Sequence, residues 1–239
     1  MFILNRDRLG NGTTWISSFS SVLSSLARGT NTLSDALLNI AAHYDISNDI
    51  FAALLSPDMT YSCPIWSVQT GHDGTKETLE EAQMRKLRRF IDGAKIKSSD
   101  HILETGTDWG SSEIEAAKWT GCRVTSLTLS KEQKAFAEER IREAGLGDRI
   151  DIKLMDYRAL LAPEVPFDKI VSIEMLEAVD REYLSTYFVC VDRLLKRDGG
   201  IAMSQCITMP EGPIRRSCKS RRVSCQTYKQ SKTSWEPRD

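Results

Sequence analysis

The sequence predicts an α/β protein with a doubly wound, mainly parallel sheet, an N-terminal helical extension and a sheet left incomplete at its C-terminal end. Three observations carry that prediction. From residue 100 onward, short apolar runs alternate with amphipathic stretches of helical period. The first apolar run ends in a glycine-containing turn that opens into a helix. Past Pro210 the periodicity stops and no further element is assignable.

Each element follows from local pattern. Residues 1–30 are polar and rich in Gly and Ser, and read as a flexible lead-in. Asn31 to Ala42 places Leu33, Leu37, Leu38 and Ile40 at helical spacing, with Asn31 or Ser34 as its cap. Thr75 to Ala94 is a second helix, with Leu79, Ala82, Gln83, Leu87, Phe90 and Ile91 on one side and charges on the rest. These stretches form a segment over 31–98 that covers the core from the N-terminal side. The core, 99–210, contains strands at His101–Gly106, Arg123–Leu129, Ile150–Met155, Asp168–Ile173 and Ile201–Ile207. Between them lie helices at Ser111–Trp119, Lys131–Ala144 (capped by Ser130) and Arg181–Lys196, and a Pro-containing loop at Ala159–Phe167. Strands alternating with helices imply parallel pairing through crossovers.

Bulk properties narrow the function classes. The chain has 239 residues, is 41% hydrophobic and 27% charged, and carries a formal net charge of −1. That balance fits a globular protein and gives no global field favouring nucleic acid. The charge is uneven, because residues 211–239 hold eight Lys/Arg against three acids. They read as a basic disordered tail. The six cysteines form no C-x-x-C pair, so no metal site is expected, and their scatter fits reduced thiols and a cytoplasmic location. No run of about 18 apolar residues exists, so no transmembrane segment is expected.

The chemistry is concentrated at Ile102-Leu103-Glu104-Thr105-Gly106-Thr107-Asp108-Trp109-Gly110. A dinucleotide site would show G-x-G-x-x-G, with an acid closing the second strand. Here the spacing is E-x-G-x-x-x-G and the second strand ends Thr128-Leu129-Ser130. The strand-end acid followed by glycines resembles the turn of S-adenosylmethionine methyltransferases. A tight β-α turn without a ligand is the alternative. Asp108 stands where those proteins have a middle glycine, adding bulk and negative charge.

Four further motifs give the resemblance its specificity. They are His43-Tyr44-Asp45-Ile46-Ser47-Asn48, Met59-Thr60-Tyr61-Ser62-Cys63, Leu127-Thr128-Leu129-Ser130-Lys131-Glu132-Gln133, and Ser172-Ile173-Glu174-Met175-Leu176-Glu177. Over residues 36 to 212 the chain resembles the cyclopropane-fatty-acyl-phospholipid synthase family, which includes the mycolic acid cyclopropane synthases. The resemblance implies a class I methyltransferase-like Rossmann fold. It also implies transfer of a methylene group from S-adenosylmethionine to cis-unsaturated acyl chains of phospholipids at a membrane surface.

By the same resemblance, Tyr44, Tyr61 and Ser62 close over the cofactor. Gly106 and Gly110 form its floor, and Glu104, the strand-end acid, meets its amino-acid part. Thr128, Leu129 and Gln133 approach its ribose and amino-acid parts, and Asp156 and Tyr157 its adenine. Glu177, Cys63 and Gln205 border a pocket for a bicarbonate ion that serves as base. Each residue also has a plainer reading. Glu174 and Glu177 could cap the following helix, Tyr61 could be a packed aromatic, Cys63 a small buried residue and Asp156 a turn acid. Gln205 stands where many family members have histidine. The family continues past Met209-Pro210-Glu211-Gly212 with a lipid-covering region and further strands that the basic tail does not resemble. The sequence therefore reads as C-terminally truncated, with Ile201–Ile207 as an exposed sheet edge. A small-molecule N-methyltransferase and an inactive fragment are the alternative functions.

Overall fold

The computed structural model describes residues 48–67, 77–179 and 181–207. Five strands form one sheet: β1 (His101–Glu104), β2 (Arg123–Thr128), β3 (Ile150–Leu154), β4 (Lys169–Ile173) and β5 (Ile201–Gln205). All pair in parallel, in the order β3-β2-β1-β4-β5. The chain runs outward from β1 to β3, then returns to the other side of β1 for β4. This reversal opens a crevice at the carboxyl ends of β1 and β4, where α/β sheets bind ligands. β5 forms the second edge, with no strand beyond it among the described residues.

Among the described residues five α-helices accompany the sheet: α1 (Asn48–Leu54), α2 (Leu79–Gly93), α3 (Ser111–Thr120), α4 (Lys131–Glu143) and α5 (Leu184–Leu194). The expected start of α2 at Thr75 moves to Leu79 because Thr78 caps it. Thr78 Oγ1 accepts from Glu81 N–H at 3.3 Å, and the Glu81 carboxylate accepts from Thr78 N–H at 2.8 Å. The expected helix from Arg181 opens instead as a short 3-10 turn, Arg181–Tyr183, before α5. Residues 1–30, the Asn31–Ala42 helix and the basic tail lie outside the described residues.

Alternation along the strands sends neighbouring residues to opposite faces. Ile102, Val124, Ile150 and Ile152 pack with Ile91, Ile114, Ala117, Ala137 and Ile141 from α2, α3 and α4. Leu103, Leu127 and Ile170 point the other way, onto Tyr187, Cys190 and Leu194 of α5. Both faces are covered, which is why the strands read as apolar runs.

A smaller cluster fastens the N-terminal segment to the glycine turn. Trp109 is 1% exposed and packs with Phe51 and Met59, its ring centroid 4.7 Å from that of Phe51. Gly110 completes the turn at φ +86°, and a Cβ there would lie 3.0 Å from Ala137 Cβ on α4. Both conformation and contact therefore require glycine. Gly110→Ala is expected to lower stability by about 1–3 kcal/mol, measurable by urea unfolding. An unchanged midpoint would show that the turn adapts.

Candidate active site

A cleft of about 280 Å3, including its open mouth, lies in the crevice formed at β1 and β4. Met59, Thr60 and Ser62 form one wall. Glu104, Gly106, Thr107, Asp108, Ser111 and Ser112 form the opposite wall, with Lys86 and Leu87 of α2 and Ile173 completing it. The glycine turn places Glu104 at the strand end and Ser111 at the start of α3. Ser62 is held from α2, where Gln83 Nε2 donates to its carbonyl at 2.7 Å and Lys86 Nζ donates to its hydroxyl.

The cleft is acidic and buried. Glu104 is 2% exposed, and burial beside the equally buried Glu113 pushes its carboxyl well above the usual range. Burial, reinforced by Glu113, pushes Asp108 up to about 8, and Lys86 offsets part of that rise. Asp108 is therefore mainly protonated at neutral pH, which removes most of the like charge expected from its sequence position. Its backbone takes φ +45°, the left-handed region that a glycine would fill and that Asp tolerates better than most residues. Lys86 has no accessible surface. Burial lowers its ammonium to about 8, against the opposing pull of Glu174, Asp108, Asp58 and Glu104.

The sequence-predicted cofactor residues separate into three groups. Ser62, Glu104 and Gly106 line the cleft. Thr128 and Gln133 are buried at the end of β2, where Thr128 Oγ1 donates to Gln133 Oε1 at 2.9 Å, and Leu129 is half-buried between them. Gln133 Nε2 is buried with no hydrogen-bond partner among the described residues. The remaining residues are committed elsewhere or lie off the cleft. Gly110 packs on α4. Tyr61 is 42% exposed and packs edge-on to Phe51 and Trp109. The Asp156 carboxylate is taken by Arg158 at 2.7 Å and 2.8 Å, the turn-acid reading. Tyr157 packs on Tyr187, and burial pushes its phenol up to about 12. Tyr44 lies outside the described residues.

The second expected constellation is present in altered form. Cys63, Gln205 and the end of β4 meet at a distance of 142 residues in sequence. The carboxylate at their centre is Glu174: its Oε1 accepts from Cys63 N–H at 2.8 Å and from Gln205 Nε2 at 2.8 Å. Glu177 lies to the side, with Oε1 accepting from Ile207 N–H and Oε2 buried without a partner among the described residues.

These contacts test the two implied ligands. S-adenosylmethionine fits. Gly106 lines the cleft, and a Cβ there would make only ordinary contact with Met175 at 3.6 Å. Gln133 Nε2 suits a hydroxyl or ring acceptor, and the carboxyl oxygens of the wall suit the N–H donors of an ammonium. Bicarbonate does not fit. The N–H groups of Cys63, Gln205 and Ile207 are already given to the carboxylates of Glu174 and Glu177. A further anion would meet two carboxylates with no donor released to it.

Comparison with known proteins places this architecture. The family described as mycolic acid cyclopropane synthetase matches residues 31–228. The chain belongs to this family. The match runs past Gly212, where the motif resemblance was expected to stop, and into the basic tail. The chain is 42% identical over 173 residues to tuberculostearic acid methyltransferase UfaA1 of Mycobacterium tuberculosis, covering 72% of this chain and 39% of that protein. It is 36% identical over 157 residues to the cyclopropane-fatty-acyl-phospholipid synthase of Escherichia coli K12, covering 66% and 37%. It thus spans about two fifths of the length of these curated relatives. Among solved structures, mycolic acid cyclopropane synthase CmaA1 complexed with SAH and CTAB superposes with a TM-score of 0.64 at 29% identity, over 72% of this chain and 57% of that one. Coclaurine N-methyltransferase, at 19% identity and a TM-score of 0.60, shares the fold.

Sequence reasoning missed Lys86 and Glu174. Lys86 falls at i+3 from Gln83 and i+4 from Ala82, on the buried stripe of α2. That spacing was the available signal. Glu174 had none, since the two glutamates of the E-x-x-E motif are equivalent until the backbone turns.

Proposed function

We propose that this chain is the cofactor-binding core of an S-adenosylmethionine-dependent enzyme that transfers a one-carbon unit to cis-unsaturated acyl chains of phospholipids. The observation that carries the cofactor assignment is the cleft lined by Gly106 and carboxyl groups at the sheet's topological switch, and the buried, unpartnered Gln133 Nε2 at the start of α4 supports it. The acyl substrate rests on family membership and on the names of its relatives, which are fatty-acid and phospholipid enzymes.

In this reading the cofactor supplies an electrophilic methyl carbon. Gln133 and Thr128 orient its ribose at the end of β2. Ser62, Glu104, Asp108 and Lys86 surround its amino-acid part, with Lys86 as the cation for the carboxylate and the acidic groups facing the ammonium. Ile173 and Leu87 add apolar wall that keeps water from the reacting carbon. No described helix is long and apolar enough to cross a membrane. Access to phospholipid is therefore proposed to be peripheral, from the cytoplasmic side. The basic residues after Pro210 are the charges available to anionic headgroups.

Gln133→Leu tests the cofactor assignment. It removes the free donor while keeping similar volume. Affinity for S-adenosylhomocysteine is expected to fall at least ~10-fold by calorimetric titration, about one hydrogen bond's worth. Thermal stability should change little. Equal affinity in the variant would remove Gln133 from the site. Activity is read with methyl-labelled S-adenosylmethionine and vesicles of unsaturated phospholipid. Label in the acyl chains is the expected result, and label only in added amines would favour an N-methyltransferase.

A further inference from the structure

Methyl transfer to an alkene leaves a proton that some base must remove, and the arrangement at the carboxyl ends of β4 and β5 contains one. We propose that the Glu174 carboxylate is the base, built into the chain at the position where a free anion would otherwise be needed. This rests on the acyl-transfer reading above and adds the identity of the proton acceptor.

Four observations support it. First, Glu174 is fixed on both sides. Its N–H donates to the Gln205 carbonyl at 2.8 Å, and its Oε1 accepts from Gln205 Nε2 and Cys63 N–H, each at 2.8 Å. Second, both of these bonds fall on one oxygen, and Oε2 has no hydrogen bond among the described residues. It has a lone pair to offer. Third, the residue adopts φ +51°, a conformation costly for a non-glycine side chain that must be maintained by its surroundings. Fourth, the residues on either side touch the cofactor cleft. Ile173 lines it, and Met175 packs against Gly106 and accepts a weak hydrogen bond at its sulfur from Thr105. Glu174 is also close enough to Lys86 and Asp108 to shift both.

The step balances. One alkene carbon bonds the transferred methyl, the broken S–C pair stays on sulfur, and the other alkene carbon becomes a cation. The Glu174 carboxylate takes a proton from the new methyl group. The freed C–H pair closes the third bond of the ring, and Glu174 is left as a carboxylic acid that returns its proton to solvent. Before that transfer, its negative charge stabilises the cation. Glu177, whose Oε1 is occupied by Ile207 N–H, does not take part.

The test compares the parent chain with Glu174→Gln and Glu174→Gly, in carbon-dioxide-free buffer and in buffer with added bicarbonate. Glutamine can accept the same two N–H bonds, so the site should stay built, and S-adenosylhomocysteine affinity should stay within ~3-fold. The parent is expected to label phospholipid equally in both buffers. Glu174→Gln should lose ~10²–10⁴-fold in rate. Glu174→Gly, which relieves the left-handed backbone, should lose as much but recover in part with bicarbonate. Full activity of Glu174→Gln, or a parent rate that collapses without bicarbonate, overturns the proposal while the acyl-transfer reading stands. No labelled lipid from the parent in either buffer, with S-adenosylhomocysteine still bound, overturns the acyl-transfer reading, and this one with it.

Discussion

Trp109→Ala is expected to destabilise the protein by about 3–5 kcal/mol and to weaken cofactor binding in the same experiment. Trp109 is among the largest fully buried side chains, and the rings of Phe51 and Tyr61 meet it. The indole lies inside the glycine turn, between Asp108 and Gly110, while its contacts Phe51 and Met59 belong to the N-terminal wall of the cleft. Its backbone carbonyl accepts from Arg140 Nη1 of α4 at 2.7 Å. One residue thus joins the turn and the N-terminal wall through its side chain, and α4 through its backbone. Removing it leaves a void that Phe51 and Met59 cannot fill from one side, and it frees Thr60 and Ser62 from their register over the cleft. Urea unfolding should show the full loss. Titration with S-adenosylhomocysteine under folding conditions should show at least ~10-fold weaker binding. Loss of stability with unchanged affinity would mean that the N-terminal wall does not depend on this cluster.

Asp108→Asn should stabilise the protein, and by more as the pH rises. The folded state holds the Asp108 carboxyl at about 8, against 3.8 for the ordinary group, chiefly because it is buried. Between those values the folded chain keeps a proton that the unfolded chain has released. The unfolded state therefore binds fewer protons, and stability falls as pH increases. One proton corresponds to about 1.4 kcal/mol per pH unit. Asparagine has the same shape, tolerates the left-handed backbone, and does not ionise. The gap in unfolding free energy between variant and parent should widen by roughly 1 kcal/mol per unit from pH 5 to pH 8 and then level off. Glu104 contributes a slope of its own that is largely common to both proteins, since Asp108 is the last and smallest of the causes of its rise. A gap that is constant with pH, or that narrows, would show that Asp108 is ionised in the folded protein at neutral pH.

The same residue marks where sequence reasoning reached its limit. From sequence, Asp108 is a charge placed against a ligand carboxylate. In the fold it is a partly buried acid on the cleft wall that holds its proton, because protonation costs less than a poorly solvated charge. Lys86 shows a related limit. In a helix reading LEEAQMRKLRRF a lysine is expected among the solvated charges, yet it faces inward and hydrogen-bonds Ser62. Glu174 and Glu177 show the third case. A motif names two carboxylates, and the left-handed turn at the first decides which one meets Cys63 and Gln205.

By itself the sequence determined the five parallel strands, because buried strands must be apolar throughout. It determined the glycine turn, because only a short list of residues closes it, and it determined the family, because ordered motifs at fixed spacing rarely recur by chance. Only the tertiary structure decided the strand order, the burial of the cleft's acids and which glutamate of the E-x-x-E motif meets Cys63 and Gln205. Those depend on which groups come within a few ångströms of one another and how much water they lose, and local spacing does not encode either.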